Sequence, residues 1–170
     1  MIWLIGAGPM AMEYARVLNA QGLPFVCVTR SESSATKYRS ITGGNTHSGG
    51  LQKFLLSKPM SHRHAIVATG IESLASVTEL LLRYGAKSIL VEKPAGINIL
   101  QVENIQKLVE INNANVFVAY NRRFYESVIT AQKMIEEDGG VTSLNYEIRS
   151  YSKSSWIGNR NIKKPALLWP

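Results

Sequence analysis

The chain has 170 residues, 45% of them apolar and 18% charged, which is the make-up of a globular protein with one full core and part of a second. Its formal net charge of +7 points to an anionic partner. The Lys and Arg residues are dispersed rather than interleaved with aromatics on one face, which argues against nucleic acid, and no apolar stretch reaches the roughly 20 residues that span a membrane.

The N-terminal "MIWLIG" is a short apolar strand without the basic flank of a signal peptide. "PMAMEYARVLNAQG" follows with helical spacing at Met10, Tyr14, Val17 and Leu18, and Gly22 stands at its end as a cap. "LPFVCVT" is a second apolar strand. It contains Cys27, which as the single cysteine excludes an internal disulfide and fits a reducing, cytoplasmic setting. The polar stretch after it predicts a short helix and a glycine-rich loop carrying His47, and "LQKFLL" predicts a helical turn. Strands "HAIVATG", "SILVEK" and "NVFVAY" then alternate with helices "ESLASVTELLLRYG", closed by Gly85, and "NILQVENIQKLVEINN". Apolar strands alternating with helices predict an α/β fold, a doubly wound parallel sheet covered on both faces, over residues 1–119.

From residue 120 the character changes. "RFYESVITAQKMIEEDG" predicts a helix with a Gly-Gly stop, and "VTSLNYEIRSYSKSS" alternates as a half-buried strand does. The expectation is that residues 120–170 begin a second α/β domain, incomplete here, whose edge around Leu144 to Tyr151 is prone to self-association into a homo-oligomer.

After the first strand, "GAGPMA" supplies Gly6, Ala7, Gly8, Pro9, Met10 and Ala11 in the G-x-G-x-x-A pattern of a dinucleotide-binding, or Rossmann, loop. Gly6 permits the tight turn, Gly8 lets the backbone approach a pyrophosphate, and Ala11 allows the helix to pack closely on the sheet. The helix N-terminus then favours the anion. At the end of the second strand an NAD site usually carries an acid. This chain has Thr29, Arg30 and Ser31, a guanidinium and two hydroxyls that suit a 2′-phosphate, so NADP(H) is favoured over NAD(H); Glu32 stands just beyond.

Residues 89–96, "ILVEKPAG", leave an apolar strand on an acid, a lysine and a proline. At the carboxyl end of a parallel strand Lys93 stands in the ligand crevice, Glu92 is able to orient it, and Pro94 fixes the turn, with a cis peptide within reach. The order of "IGAGPMA", "VEKPAGIN" and "VAYNRRF" resembles the Gfo/Idh/MocA family of pyranose and cyclitol oxidoreductases, over residues 1 to about 155. The resemblance implies that Lys93 contacts substrate and nicotinamide as the catalytic lysine. It implies that Tyr120, Asn121 and Arg122 to Phe124 help to shape the site, with Asn121 and Arg122 on the cofactor side, and that Ala68, Thr69 and Gly70 form a cofactor-side wall. It also implies a carbohydrate substrate: a sugar, sugar nucleotide or cyclitol.

Two departures stand out. Where the family typically has Thr-Pro and then a histidine, this chain has Thr69-Gly70 and Leu74. The Asp and His that usually form the acid/base in the family's second domain have no counterpart, and His47, His62 and His64 do not replace them. They read as surface or packing residues, and no residues have metal-ligand spacing. The expectation is therefore an NAD(P)-dependent oxidoreductase; the competing one is a non-catalytic NAD(P)-binding fragment that acts as a sensor or interaction protein.

Overall fold

The computed structural model describes residues 1–57 and 64–143. The chain divides into two compact units, Met1–Tyr125 and Glu126–Pro170. In the first, six strands run β1 (Ile2–Ile5), β2 (Phe25–Val28), β3 (Thr46–His47), β4 (His64–Val67), β5 (Ser88–Val91) and β6 (Asn115–Val118). All pair in parallel, in the order β3-β2-β1-β4-β5-β6. Helices α1 (Pro9–Ala20), α2 (Glu32–Thr42), α3 (Gly50–Ser57), α4 (Leu74–Arg83) and α5 (Ile99–Asn112) join them. This is the Rossmann fold, and the strand order reverses between β1 and β4, where such sheets open a ligand crevice.

The strands bury alternate side chains on opposite faces, as a period of two requires. Trp3 and Ile5 of β1 with Ala65 and Val67 of β4 join one core, which holds Leu51, Phe54, Leu74, Leu81 and Leu82 from α3 and α4. Leu4 and Ile66 join the other, with Ala11, Ala15 and Leu18 of α1, Cys27, and Tyr38 of α2. Trp3 meets Phe54 edge to face, ring centres 5.1 Å apart.

Three sequence expectations change. The buried stripe of α1 is Ala11, Ala15 and Leu18, whereas Met10 and Val17 are exposed: alanines pack under the first two turns of the helix and a leucine under the last. His47 is not in a loop but in the two-residue edge strand β3, its ring 5.0 Å from that of Phe54. Strand β6 is not covered on both faces: Phe117 is 59% exposed. His64 opens β4, exposed at the amino-terminal edge of the sheet. His62 and the predicted strand from Leu144 onward lie outside the described residues. The second unit carries α6 (Glu126–Glu137), which Gly139 and Gly140 stop in left-handed conformations. No helix among the described residues is long and apolar enough to cross a membrane.

Candidate functional site

The turn from β1 into α1 is fixed from both sides. Gly6 donates its N–H to the Val28 carbonyl at 2.9 Å, and its own carbonyl accepts from the Cys27 thiol at 3.0 Å. Its φ is +117°, and a Cβ there would stand 2.3 Å from the Ala68 carbonyl oxygen, so glycine is required by the fold itself. Gly8 differs. It is the N-cap of α1 in extended conformation (φ −78°, ψ −179°), and a Cβ would meet nothing within 4 Å. The space above Gly8 is open to a ligand. Pro9 follows at the first helical position, and neither a side-chain cap nor an acid occupies the first turn, so the positive end of the helix is left for an anion.

A cleft of about 1140 Å³ opens over this loop along the carboxyl edge of the sheet. It brings together Gly6, Ala7, Gly8, Pro9 and Met10 with Thr29 and Arg30 beyond β2, and with Ala68, Thr69 and Gly70 beyond β4. Ser34 and Lys37 of α2, Gly49, Gly50 and Gln52 around the start of α3, and Glu72, Ser73 and Ser76 near α4 also line it. None of these had been singled out in the sequence. Ser34 and Lys37 could have been, because residues three apart on a helix share a face and α2 starts beside Arg30.

The residues at the end of β2 divide in their roles. Thr29 is buried, and its hydroxyl donates to the Ser31 carbonyl at 3.1 Å. Ser31 is the N-cap of α2, its Oγ accepting from the Ser34 N–H at 3.3 Å, and it does not line the cleft. Arg30 is exposed and faces the cleft. Glu32 is turned to other partners: Arg39 donates to its carboxylate at 2.5 Å while also donating to Thr46 at 2.8 Å. The Ser48 hydroxyl and then the Arg39 guanidinium hold Glu32 below the usual carboxylate range. Among the lining residues the cations are therefore Arg30 and Lys37 and the carboxylate is Glu72.

The segment after β5 is pinned differently from expectation. Glu92 does not pair with Lys93; its carboxylate accepts from the Tyr14 hydroxyl of α1 at 2.7 Å, and neither ion pair among the described residues involves it. Burial first, and then the bond to Glu92, push the Tyr14 phenol well above its ordinary range and keep it protonated as the donor. The Lys93–Pro94 peptide is cis, and Ala95 takes φ 71°. Lys93 lies with Tyr120, Asn121, Arg122 and Arg123 in a second cleft of about 360 Å³, which shares no residue with the first. Asn121 and Arg122 belong to a 3₁₀ turn (Asn121–Phe124) beyond β6. Of the residues predicted to bind or shape the site, Ser31, Glu92 and Phe124 line neither cleft.

The two clefts follow one line across the sheet. With strands about 4.8 Å apart, Arg30 beyond β2 is one strand from the glycine loop on one side, and Lys93 beyond β5 is two strands, roughly 10 Å, from it on the other. An elongated ligand with an anionic middle fits that course. Cys27 is not a nucleophile here: burial pushes its thiol up to about 12, and the sulfur is spent on Gly6.

No family model matches the sequence, and no curated protein does either. Solved structures do. The WlbA dehydrogenase of Chromobacterium violaceum, in complex with NADH and UDP-GlcNAcA, superposes with a TM-score of 0.72 at 15% identity over 81% of this chain and 39% of its own. The myo-inositol 2-dehydrogenase of Lactobacillus plantarum gives 0.70 at 17% identity, over 81% and 41%. GenD2 of gentamicin A biosynthesis, in complex with NAD, gives 0.69 at 19% identity, over 81% and 39%. Over the matched part the fold of this chain is thus the one these dehydrogenases share, as the resemblance carried by the three motifs implied. The chain spans about two fifths of the length of each.

Proposed function

We propose that the chain is the dinucleotide-binding part of an NAD(P)-dependent oxidoreductase that acts on a sugar, sugar nucleotide or cyclitol, with residues from 120 onward opening its substrate domain. The observation that carries this reading is the long cleft over Gly8, where the helix terminus is uncapped and a Cβ would point into empty space. Those features fit a pyrophosphate. Similar folds hold NADH in WlbA and NAD in GenD2.

A nicotinamide cofactor supplies the hydride acceptor or donor when bound. The chain's residues do the rest. Gly8 and the N-terminus of α1 bind the pyrophosphate, and Ala68 to Gly70 wall the middle of the cleft. Arg30, with Ser34 and Lys37, favours a 2′-phosphate, and Glu32, the acid that would repel it, is held by Arg39. This supports NADP(H) over NAD(H). Lys93 is the candidate catalytic residue: its ammonium would hydrogen-bond the substrate oxygen and stabilise the alkoxide left when the hydroxyl proton passes to solvent water, the form from which the carbon bearing that oxygen would release hydride.

Titration of the chain with NADPH and NADH, followed by nicotinamide fluorescence, tests the reading. Saturable binding with NADPH preferred by about tenfold is expected, from one charge-assisted contact to the extra phosphate. Failure of both cofactors to bind would overturn it.

A further inference from the structure

Helix α1 brings one polar side chain into its packing. Its buried stripe is Ala11, Ala15 and Leu18, yet Tyr14, half-buried against the same core, ends in a hydroxyl. That hydroxyl donates to the Glu92 carboxylate at 2.7 Å, across 78 residues of chain. The alternation of β5 explains the meeting. Leu90 packs with the core under α1 and Val91 with the opposite one, so Glu92, in step with Leu90, continues on the α1 side. The backbone of Glu92 is fixed as well: its N–H donates to the Val67 carbonyl at 2.9 Å, and its carbonyl accepts from the Ala95 N–H at 3.0 Å. Burial first, and then Glu92, raise the phenol well above its ordinary range, so it stays a donor through neutral pH.

The carboxylate held in this way is the acid next to Lys93 in the chain. Left without a donor, it would attract the neighbouring ammonium, and a lysine so paired offers less of its charge to a ligand. Glu92 is instead in neither ion pair among the described residues, and the exposed Lys93 lines the smaller cleft. We infer that Tyr14 is a positioning residue: by holding the Glu92 carboxylate on the α1 side, it keeps that acid from pairing with Lys93, whose charge stays available to the ligand. The inference rests on the oxidoreductase reading, in which Lys93 meets the nicotinamide end of the cofactor and the reacting oxygen. It also links the two clefts. Helix α1 starts from Gly8 in the larger cleft and reaches the lysine turn through Tyr14, less than two turns later. Phenylalanine would fill the same space and release the carboxylate, so the hydroxyl rather than the ring carries the role.

The test reads Lys93 directly in the 170-residue chain, by its rate of acetylation with acetic anhydride at mildly alkaline pH, followed by peptide mass spectrometry. Lys107 of α5, exposed and remote from the turn in sequence, is the internal reference. In Tyr14→Phe the freed Glu92 should pair with Lys93 and slow its acetylation about two- to fivefold, the range of an exposed ion pair, because a paired ammonium gives up its proton less readily. Adding Glu92→Gln to Tyr14→Phe should restore the parent rate. A purely structural role has the opposite sign, since a loosened turn does not protect its lysine. An unchanged or faster rate in Tyr14→Phe, or a slowed rate that Glu92→Gln does not restore, would overturn the inference. Melting curves check that the variants are folded at the assay temperature. On the same proteins NADPH should bind Tyr14→Phe about two- to fivefold more weakly, whereas 2′,5′-ADP, which lacks the nicotinamide end, should bind both alike. Equal weakening of the two ligands would place the effect of Tyr14 in the phosphate loop and overturn its link to Lys93. Failure of the parent chain to bind NADPH would overturn the cofactor reading separately, because acetylation needs no cofactor.

Discussion

Gly6 and Gly8 stand two residues apart in one motif, yet the structure gives them opposite sensitivities. For Gly6→Ala the backbone must keep φ near +117°, and the new methyl carbon would lie 2.3 Å from the Ala68 carbonyl oxygen. Holding an L-residue in such a region costs about 1–3 kcal/mol before the clash is counted. A total of about 3 kcal/mol or more is expected. At roughly 2–4 °C per kcal/mol for a chain of this size, the melting temperature should fall by about 6–12 °C. For Gly8→Ala the backbone is already extended, and the methyl meets no atom within 4 Å. The small loss of N-cap preference is offset by about 0.4–1 kcal/mol from a stiffer unfolded chain, so the melting temperature should stay nearly constant.

Binding reverses the order of interest. The methyl at Gly8 occupies the approach of the pyrophosphate and displaces at least one charged hydrogen bond, a loss of about 1.5–3 kcal/mol, or roughly 10- to 150-fold in NADPH affinity. The assay pairs thermal denaturation with NADPH fluorescence titration on the same samples. A Gly8→Ala chain that melts normally and binds NADPH as tightly as the parent would refute the phosphate-loop assignment. A Gly8→Ala chain as destabilised as Gly6→Ala would refute the steric reasoning instead.

Arg30→Ala should weaken NADPH by about tenfold and leave NADH nearly unchanged, with Lys37→Ala acting in the same direction; equal losses for both cofactors in the titration would remove these residues from 2′-phosphate recognition. Tyr14→Phe leaves the half-buried Glu92 carboxylate without its 2.7 Å donor, at a cost of about 1–3 kcal/mol, read as a lower melting temperature; an unchanged one would show that water replaces the phenol. High pH tests Cys27, whose thiol stays protonated up to about 12 in the folded chain and ionises from about 9 in the unfolded one. The native state then holds the extra proton, so stability is complete below pH 9 and falls as pH rises towards 12, by at most about 1.4 kcal/mol per pH unit from this group. Cys27→Ala should flatten that part of the denaturation profile relative to the parent.

The sheet was legible because its signals are local. Runs such as "FVCV" and "SILV", each bounded by turn residues and followed by a helix, carry enough pattern to predict the alternation of strand and helix. Strand β3 escaped because two residues, Thr46 and His47, have no period to read; it forms because Asn45 and His47 offer carbonyls to the Cys27 amide of β2 and the Thr29 amide just beyond it. The stripe of α1 was misplaced because hydrophobicity was weighed where size decides. Close packing selects Ala11 and Ala15 over the larger Met10 and Val17.

The site shows a different limit, since residue type at the right position does not say whether a group is free. Thr29, Arg30 and Ser31 read as equal ligands for a phosphate, but the hydroxyls of Thr29 and Ser31 are used to close the turn and cap α2, and it is the exposed Arg30 that offers its charge to the cleft. The same logic governs the two acids. Glu32 and Glu92 adjoin the two cations that matter most, Arg30 and Lys93, and either one could have neutralised its neighbour. Each is instead bound by a more distant partner, Arg39 in one case and Tyr14 of another helix in the other. The first joins residues 7 apart, two turns along one face of α2, whereas the second, 78 apart, is set by tertiary packing and has no local signature. Their consequence is chemical: the fold ties up these two carboxylates and leaves Arg30 and Lys93 lining the clefts, which favours an anionic ligand along the carboxyl edge of the sheet.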